Sequence, residues 1–387
     1  MADLSPFISR VAMAQKIKKI AYITTGLHAD GVGMVLQDTV TGIDRTAFEP
    51  VVISVEPRAE LSDLLEKKGV RVIHLDADLK GYRKYNIFIL IRLIFLLVAE
   101  RPALIQTQIF YADAIGRIAG WLLHIPVVTV IHTTELDSKL EERFLRASRW
   151  MVSGWIASAK AAQTAAEEQK LIAREKTTLI SNGVSASIFD LPDRELCRTK
   201  LGFSSDKKII LCVARLEMQK GIPFLIDAFT GVVQAHPAAH LVIVGGGSLY
   251  EALKQQIADR NLAAHIELRG TVVGVKEYLA ASDYFVLPSL WEGLSIALLE
   301  AAAAGLPLIA SDVGGPSEII VNNVTGFLVP AKDSTALMEK MKYVLGLPSE
   351  KLLDITRASQ KRIREGYLVD TMVQKYEAYY RNCLRRR

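Results

Sequence analysis

Two glutamates, Glu292 and Glu300, stand with seven residues between them in the stretch PSLWEGLSIALLEA (288–301). A helix starting near Leu294 places Glu292 just before its N-terminus and Glu300 one to two turns inside. The free amides of Leu294, Ser295 and Ile296 would then face an anion. Glu300 is the only charge between Leu294 and Ala304. A carboxylate on such an apolar helix needs partners, and sugar hydroxyls or a structural arginine would serve. Upstream, ARLEMQKG (214–221) sets Arg215 and Lys220 five residues apart around a turn at a strand's end. Two cations so placed reach one diphosphate, although a solvated loop with two surface charges has the same spacing. Gly245, Gly246 and Gly247 follow the next strand and either admit a phosphate to the backbone or form a plain loop.

The N-terminal half holds a weaker signal. TTGLHADGVGMVL (24–36) leaves a strand and enters a helix, with Gly31 and Gly33 in the turn. Glu56, at the end of the second strand, completes part of a dinucleotide fingerprint, but Leu36 occupies the place of its third glycine. An NAD-dependent dehydrogenase is therefore a rival reading, one that leaves Glu292 and Glu300 unexplained. Asp76, Ala77 and Asp78 spell the D-x-D of metal-dependent transferases. They lie far in sequence from Arg215 and Lys220, whose charge would make a metal unnecessary, so no metal and no cofactor are expected. KGYRKY (80–85) precedes the apolar run Ile87–Ala99. That run is shorter than the ~20 residues a spanning helix needs. The pair reads as a loop and a buried helix, with peripheral contact at an anionic membrane as the minority reading.

The elements that must hold these residues repeat one pattern twice. Short β-branched runs alternate with helical periodicity, the mark of parallel sheets with crossover helices. In the first half the strands are expected at Ile20–Thr24, Val51–Val55, Val70–His74, Leu104–Thr107, Val127–His132 and Trp155–Ser158. In the second they are expected at Lys208–Val213, His240–Val244, Ile266–Arg269, Tyr284–Leu287, Leu308–Ala310 and Gly326–Leu328. The fold class is thus α/β, with two Rossmann-like doubly wound domains facing a central cleft. Residues 1–190 form the first, 191–365 the second, and 366–387 a C-terminal helix. The 387 residues are 50% hydrophobic and 23% charged, enough for two cores. A net charge of +5 without a basic stripe excludes a nucleic-acid partner. Three scattered cysteines and no secretory leader imply a reducing, cytoplasmic setting.

Taken together, these segments resemble the retaining glycosyltransferases of family 4 (glycosyl transferases group 1), of GT-B fold, along nearly the whole chain. The Glu292/Glu300 pair and the Arg215/Lys220 segment carry most of the likeness. ISNGV (180–184) with Phe189, His132, and NNVTGFLVP (322–330) support it. The resemblance implies that Arg215 and Lys220 hold the diphosphate of a nucleoside-diphosphate sugar, and that Glu300 takes the ribose hydroxyls. Glu292 and His132 would attend the transferred sugar, with Arg269 near the base. The amides of Leu294–Ile296 and the Gly31–Gly33 loop would approach the phosphates. It also implies a metal-independent transfer to a sugar or lipid-linked acceptor, in polysaccharide, lipopolysaccharide or glycolipid synthesis, at the inner face of the membrane. The C-terminal helix would pack back on the first domain. Many relatives have His-x-His where this chain has Gln106 and Gln108, and Gly-Gly where it has Asp30-Gly31. Both departures concern the acceptor side. A catalytically silent sugar-nucleotide-binding protein is the alternative outside enzymes.

Overall fold

The computed structural model describes residues 17–77, 87–132, 134, 138–272 and 274–385. Asp78 and the KGYRKY segment lie outside the described residues. Two parallel sheets account for the strands. The first contains β1 (Lys18–Thr24), β2 (Phe48–Ser54), β3 (Arg71–His74), β4 (Leu104–Gln108), β5 (Val127–Ile131), β6 (Gly154–Ala157) and β7 (Thr177–Leu179). Among the described residues its order is β3-β2-β1-β4-β5-β6-β7. The second contains β8 (Lys208–Val213), β9 (Ala239–Val244), β10 (Ile266–Leu268), β11 (Tyr284–Leu287), β12 (Leu308–Ser311) and β13 (Phe327–Val329), in the order β10-β9-β8-β11-β12-β13. Both orders reverse beside the strand that opens the sheet, between β1 and β4 and between β8 and β11. Ligands of open α/β sheets bind at that crevice.

Helices connect the strands. The first half has α1 (Gly31–Gly42), α2 (Ser62–Lys67), α3 (Ile87–Glu100), α4 (Phe110–Leu122), α5 (Lys139–Ser148) and α6 (Lys160–Glu168). The second has α7 (Arg194–Leu201), α8 (Ile222–Ala235), α9 (Tyr250–Asp259), α10 (Lys276–Ala281), α11 (Ile296–Ala303), α12 (Gly315–Ile319) and α13 (Ser334–Leu345). Two long helices, α14 (Ser349–Gly366) and α15 (Val369–Arg385), end the chain. The strands are buried on both faces, as continuous runs such as Ile20–Ile23 and Ile209–Cys212 require. The strand missing from the sequence reading is β7. Its three residues, Thr177–Leu179, are half-buried or exposed at the sheet edge and carry no apolar run.

The polar stretch after Phe189 contains α7, which is tied to the second sheet. Arg194 and Arg198 share the carboxylate of Asp283 at 2.6 and 2.7 Å. The chain returns to the first half at the kink between α14 and α15. There Val184 bonds the backbone of Tyr367 and of Val369, at 2.8 and 3.1 Å. Helix α15 then buries Met372, Val373, Tyr376 and Tyr380 against Tyr22, Val40 and Phe48. The Tyr380 ring meets Tyr22 and Phe48 edge-on at 6.3 and 5.9 Å, and its hydroxyl donates to Gln106. Gln106 is thereby a packing residue. Gln108, equally buried, donates to the Thr24 hydroxyl at 3.4 Å.

Candidate active site

The loops after β8 and β11 meet at the crevice of the second sheet. Lys220 closes the short helical turn Met218–Lys220, and Gly221 follows in the left-handed region. The Leu290 amide donates to the Gln219 carbonyl at 2.7 Å, and the Gln219 side-chain amide donates to the Trp291 carbonyl at 3.1 Å. These bonds lock the two loops together and bring the Lys220 ammonium onto the Glu292 carboxylate. Glu292 is only 8% exposed and also accepts from the Ser289 hydroxyl at 3.0 Å. Arg215 is exposed and donates to Gln219 at 3.2 Å. Arg215, Gln219, Lys220 and Glu292 therefore form one chain of contacts. Lys220 balances Glu292, and the Arg215 charge remains for a ligand.

The triple-glycine stretch supports this cluster. Gly245 has φ of +145°, and a Cβ there would lie 1.9 Å from the Ala214 carbonyl oxygen. No other residue fits that approach to the Arg215 loop. Glu217 holds the next residue, accepting from the Ser248 amide and hydroxyl at 2.8 and 2.6 Å. Close packing against the Arg215 loop accounts for Gly245 and Gly247 without a phosphate, while Gly246 lies against Thr271.

Helix α11 begins two residues later than the sequence suggests. Ser295 caps it, accepting from the Leu298 amide at 3.4 Å, and Asn182 donates to the Leu294 carbonyl at 3.1 Å. The free amides of the first turn are thus those of Ile296 and Ala297, while Leu294 precedes the helix. Glu300 lies one turn further in and accepts no hydrogen bond from any described residue. Burial pushes its carboxyl up to about 7, and the nearby Asp38 of α1 adds to the rise. Burial likewise lifts Asp38 to about 6.

The Glu300 shift has a defined consequence for stability. Its folded value exceeds the ordinary 4.5, so ionisation weakens the folded state as pH rises from about 4.5 to about 7. Glu300→Gln is expected to raise Tm at pH 8 and to leave it unchanged near pH 4. Thermal melts across that range check this. Parallel curves for the two proteins would show that Glu300 is not the group being titrated.

From the first half, the β5 end presents His132, whose carbonyl oxygen would sit 2.2 Å from a Cβ on Gly293. Burial pushes the imidazole down to about 4 against the opposing charge of Asp30, so the ring is neutral at pH 7. Its Nε2 is buried without a hydrogen-bond partner among the described residues. Gly31 comes against Ile296 at the start of α11, with 3.8 Å from a built Cβ to the Ile296 side chain. Gly33 is not brought to the cluster in the same way. Its amide donates to the capping Asp30 carboxylate at 2.9 Å, and a Cβ there would lie 2.0 Å from the His28 carbonyl.

Arg269 also stands apart. Its guanidinium is paired with Glu267 at 2.7 Å, donates to the Leu201 carbonyl at 2.9 Å and stacks over Phe203. Glu56 bonds His28 Nε2 at 3.0 Å, while Glu60 takes Nδ1 at 3.2 Å. Two residues that the sequence reading gave no role join the halves, Asn182 and Glu318, while Asp38 sets a like charge against Glu300. The Glu318 carboxylate accepts from the Lys160 and Ala161 amides at 3.0 and 2.7 Å. ISNGV contains Asn182, but nothing local to Asn182 or Glu318 shows the bond it makes, because each partner lies in the other half.

Residues 193–362 match the glycosyl transferases group 1 model, and residues 29–187 match glycosyltransferase family 4. An Escherichia coli UDP-Gal:alpha-D-GlcNAc-diphosphoundecaprenol alpha-1,3-galactosyltransferase is 26% identical, over 89% of this chain and 95% of its own length. The Rhizobium meliloti lipopolysaccharide core mannosyltransferase LpsB is 30% identical over 42% of this chain, and the match spans about half of that enzyme (48%). Among solved structures, Anabaena HepE in complex with UDP-glucose superposes with a TM-score of 0.83 at 22% identity, over 94% of this chain and all of that one. Two doubly wound domains, a cleft built from both, and family matches to each half lead to one conclusion: the chain belongs to the group 1/family 4 glycosyltransferases and has the GT-B fold.

Proposed function

We propose that this glycosyltransferase moves a hexose from a UDP-sugar to an acceptor hydroxyl, with retention of configuration and without a metal ion. The cationic turn of Arg215 and Lys220, at the crevice where the loops after β8 and β11 meet, carries the reading. It offers a diphosphate the exposed Arg215 guanidinium, and Lys220 once the ligand takes the place of Glu292. The Glu300 carboxylate, one turn into α11 and without a hydrogen-bond partner among the described residues, suits a pair of ribose hydroxyls. Glu292 and the neutral His132 flank the place left for the transferred sugar.

In the reaction, the bond from the anomeric carbon to the diphosphate oxygen breaks, and its electron pair stays on that oxygen. Arg215 and Lys220 stabilise the charge that develops there, and stabilisation of this kind often contributes more to catalysis than any other effect. The acceptor oxygen attacks from the same face, and its proton passes to the departing phosphate. No protein nucleophile is needed. The UDP assignment leans on the galactosyltransferase relative, which uses UDP-Gal. The same relative motivates a lipid-linked acceptor, and with it action at the inner membrane face in surface polysaccharide or glycolipid synthesis.

Thermal shift against UDP, GDP, ADP, CMP, their sugar conjugates and NAD, with metal omitted, tests the donor site. A ligand at about 100 times its Kd adds about 2.7 kcal/mol of stability. Stabilisation by UDP compounds is expected. Stabilisation by NAD alone, or by no nucleotide, would overturn the reading. Donor binding without turnover across an acceptor panel would instead favour a silent binding protein.

A further inference from the structure

Helix α6 begins without a cap of its own. Its N-cap residue is Ala159, whose methyl group cannot accept from the amides of the first turn. The other half of the molecule supplies the acceptor. Glu318 of α12 takes the Lys160 amide on one carboxylate oxygen and the Ala161 amide on the other. These are charge-assisted bonds, and the negative charge suits the helix dipole. Glu318 is fixed at its backbone as well. Its carbonyl oxygen accepts from the Arg362 guanidinium at 2.8 Å and from the Tyr367 hydroxyl at 3.2 Å. Tyr367 ends α14, at the kink where the chain returns to the first half. The turn that opens α12 leads to the Glu292 loop. The Gly315 amide donates to the Glu292 carbonyl at 3.2 Å. Gly314, with φ of +48°, is lodged between the halves. A Cβ there would lie 2.7 Å from the Glu292 carbonyl oxygen and 3.1 Å from the Ala161 side chain. One helix of five residues thus touches the chain crossing, the Glu292 loop and the start of α6.

We propose that Glu318 is the latch of the cleft. By capping α6 of the first half it holds the two halves closed and sets the Glu292–Gly293 loop against His132. It is a positioning residue, acting on transfer through Glu292. The placement of its partners selects this role over that of a plain structural bond. Among the described residues, both hydrogen-bond partners of the carboxylate lie in the first half, whereas α12 belongs to the second. The two bonds therefore exist only while the halves are together. Opening strips α6 of its cap and returns the carboxylate to water. The same movement draws the Gly314–Gly315 turn, and with it the Glu292 carbonyl, away from Ala161 and His132. Closure and the assembly of the site are thus one event, as in enzymes that complete their catalytic groups on closing. The effect on turnover rests on the proposed transfer from a UDP-sugar, while the closure itself does not.

The test is small-angle X-ray scattering of the full chain with saturating UDP, for the wild type, Glu318→Gln and Glu318→Ala. UDP titrations and UDP release from UDP-galactose over an acceptor panel run alongside. The wild type is expected to scatter as the closed arrangement, and Glu318→Ala to show a larger radius of gyration. UDP affinity should stay within about twofold, because Arg215, Lys220 and Glu300 belong to one half. Turnover should fall by roughly tenfold in Glu318→Ala, the loss expected when charge-assisted bonds no longer favour the closed state. Glu318→Gln keeps one carbonyl acceptor and should lie between the two, and it carries the test if the alanine variant fails to fold. A folded variant with wild-type dimensions and turnover, even at a lower Tm, would overturn the proposal and leave Glu318 as a helix cap only. Loss of UDP binding by the folded variant would overturn it too, by making Glu318 part of the donor site. An expanded Glu318→Ala beside a wild type that turns over no acceptor would leave the latch standing and count against the transferase reading alone.

Discussion

Replacing Lys220 with alanine is expected to lower kcat by about 10²–10³-fold, the usual loss when one donor to a developing oxyanion is removed. The variant should also be less stable. Glu292 is 8% exposed, and Lys220 is its only cationic partner among the described residues. Removing one member of a buried pair costs about 3–5 kcal/mol, and the remaining Ser289 bond offsets part of that. Activity and stability can be separated. Lys220→Met with Glu292→Gln removes both charges and should recover much of the lost Tm, yet stay inactive. Arg215→Ala differs in kind. Its side chain is exposed and, among the described residues, hydrogen-bonds only Gln219, so nucleotide affinity should fall by roughly 1.5–3 kcal/mol with little change in Tm. Melting curves, UDP titrations and kcat for the four proteins decide the matter. A Lys220→Ala enzyme within threefold or so of wild-type kcat would remove Lys220 from the leaving-group role.

The second large effect is expected at a glycine. Gly293→Ala would place a methyl group 2.2 Å from the His132 carbonyl oxygen, where one domain touches the backbone of the other. Gly315 packs against the same stretch of chain, where even a Cβ on it would collide with the Gly293 carbonyl, so the loop has little room to retreat. The halves must then separate by an ångström or so. Separation would loosen the Asn182–Leu294 bond and the approach of Gly31 to Ile296. The expected result is about a hundredfold loss in kcat/KM, with a stability loss of about 1–3 kcal/mol. UDP affinity should hold, since Arg215, Lys220 and Glu300 all belong to one half. Gly366→Ala, which meets nothing within 4 Å, is the control. Wild-type kcat/KM in Gly293→Ala would mean that the reaction runs with the cleft more open than it is here.

Some of this was legible before any coordinates. Strand and helix periods are local, so β8 and β11 were found to the residue and most other strands to within two or three. The start of α11 was misjudged because Leu294 continues the apolar run, and only the Ser295 cap and the Asn182 bond end the loop there. The resemblance places Arg269 near the base, and nothing nearby in its sequence shows that the Leu201 carbonyl at the end of α7 and the Phe203 ring just beyond come to it. The glycines after β9 leave a phosphate turn and a plain loop equally open in the sequence, because close packing and anion binding ask for the same residue.

The sequence by itself determined which chemical groups stand at the ends of which strands, and so the two doubly wound domains and the cationic turn at Arg215 and Lys220. That information is carried by neighbours a few residues apart, where backbone geometry sets which side chains share a face. The tertiary structure alone decided what each group meets. It gave Lys220 to Glu292 across 72 residues, left Glu300 without a hydrogen-bond partner among the described residues in a place where burial lifts its carboxyl, and set Gly293 against His132. A charge's partner depends on which surfaces pack together, and packing is a property of the whole chain.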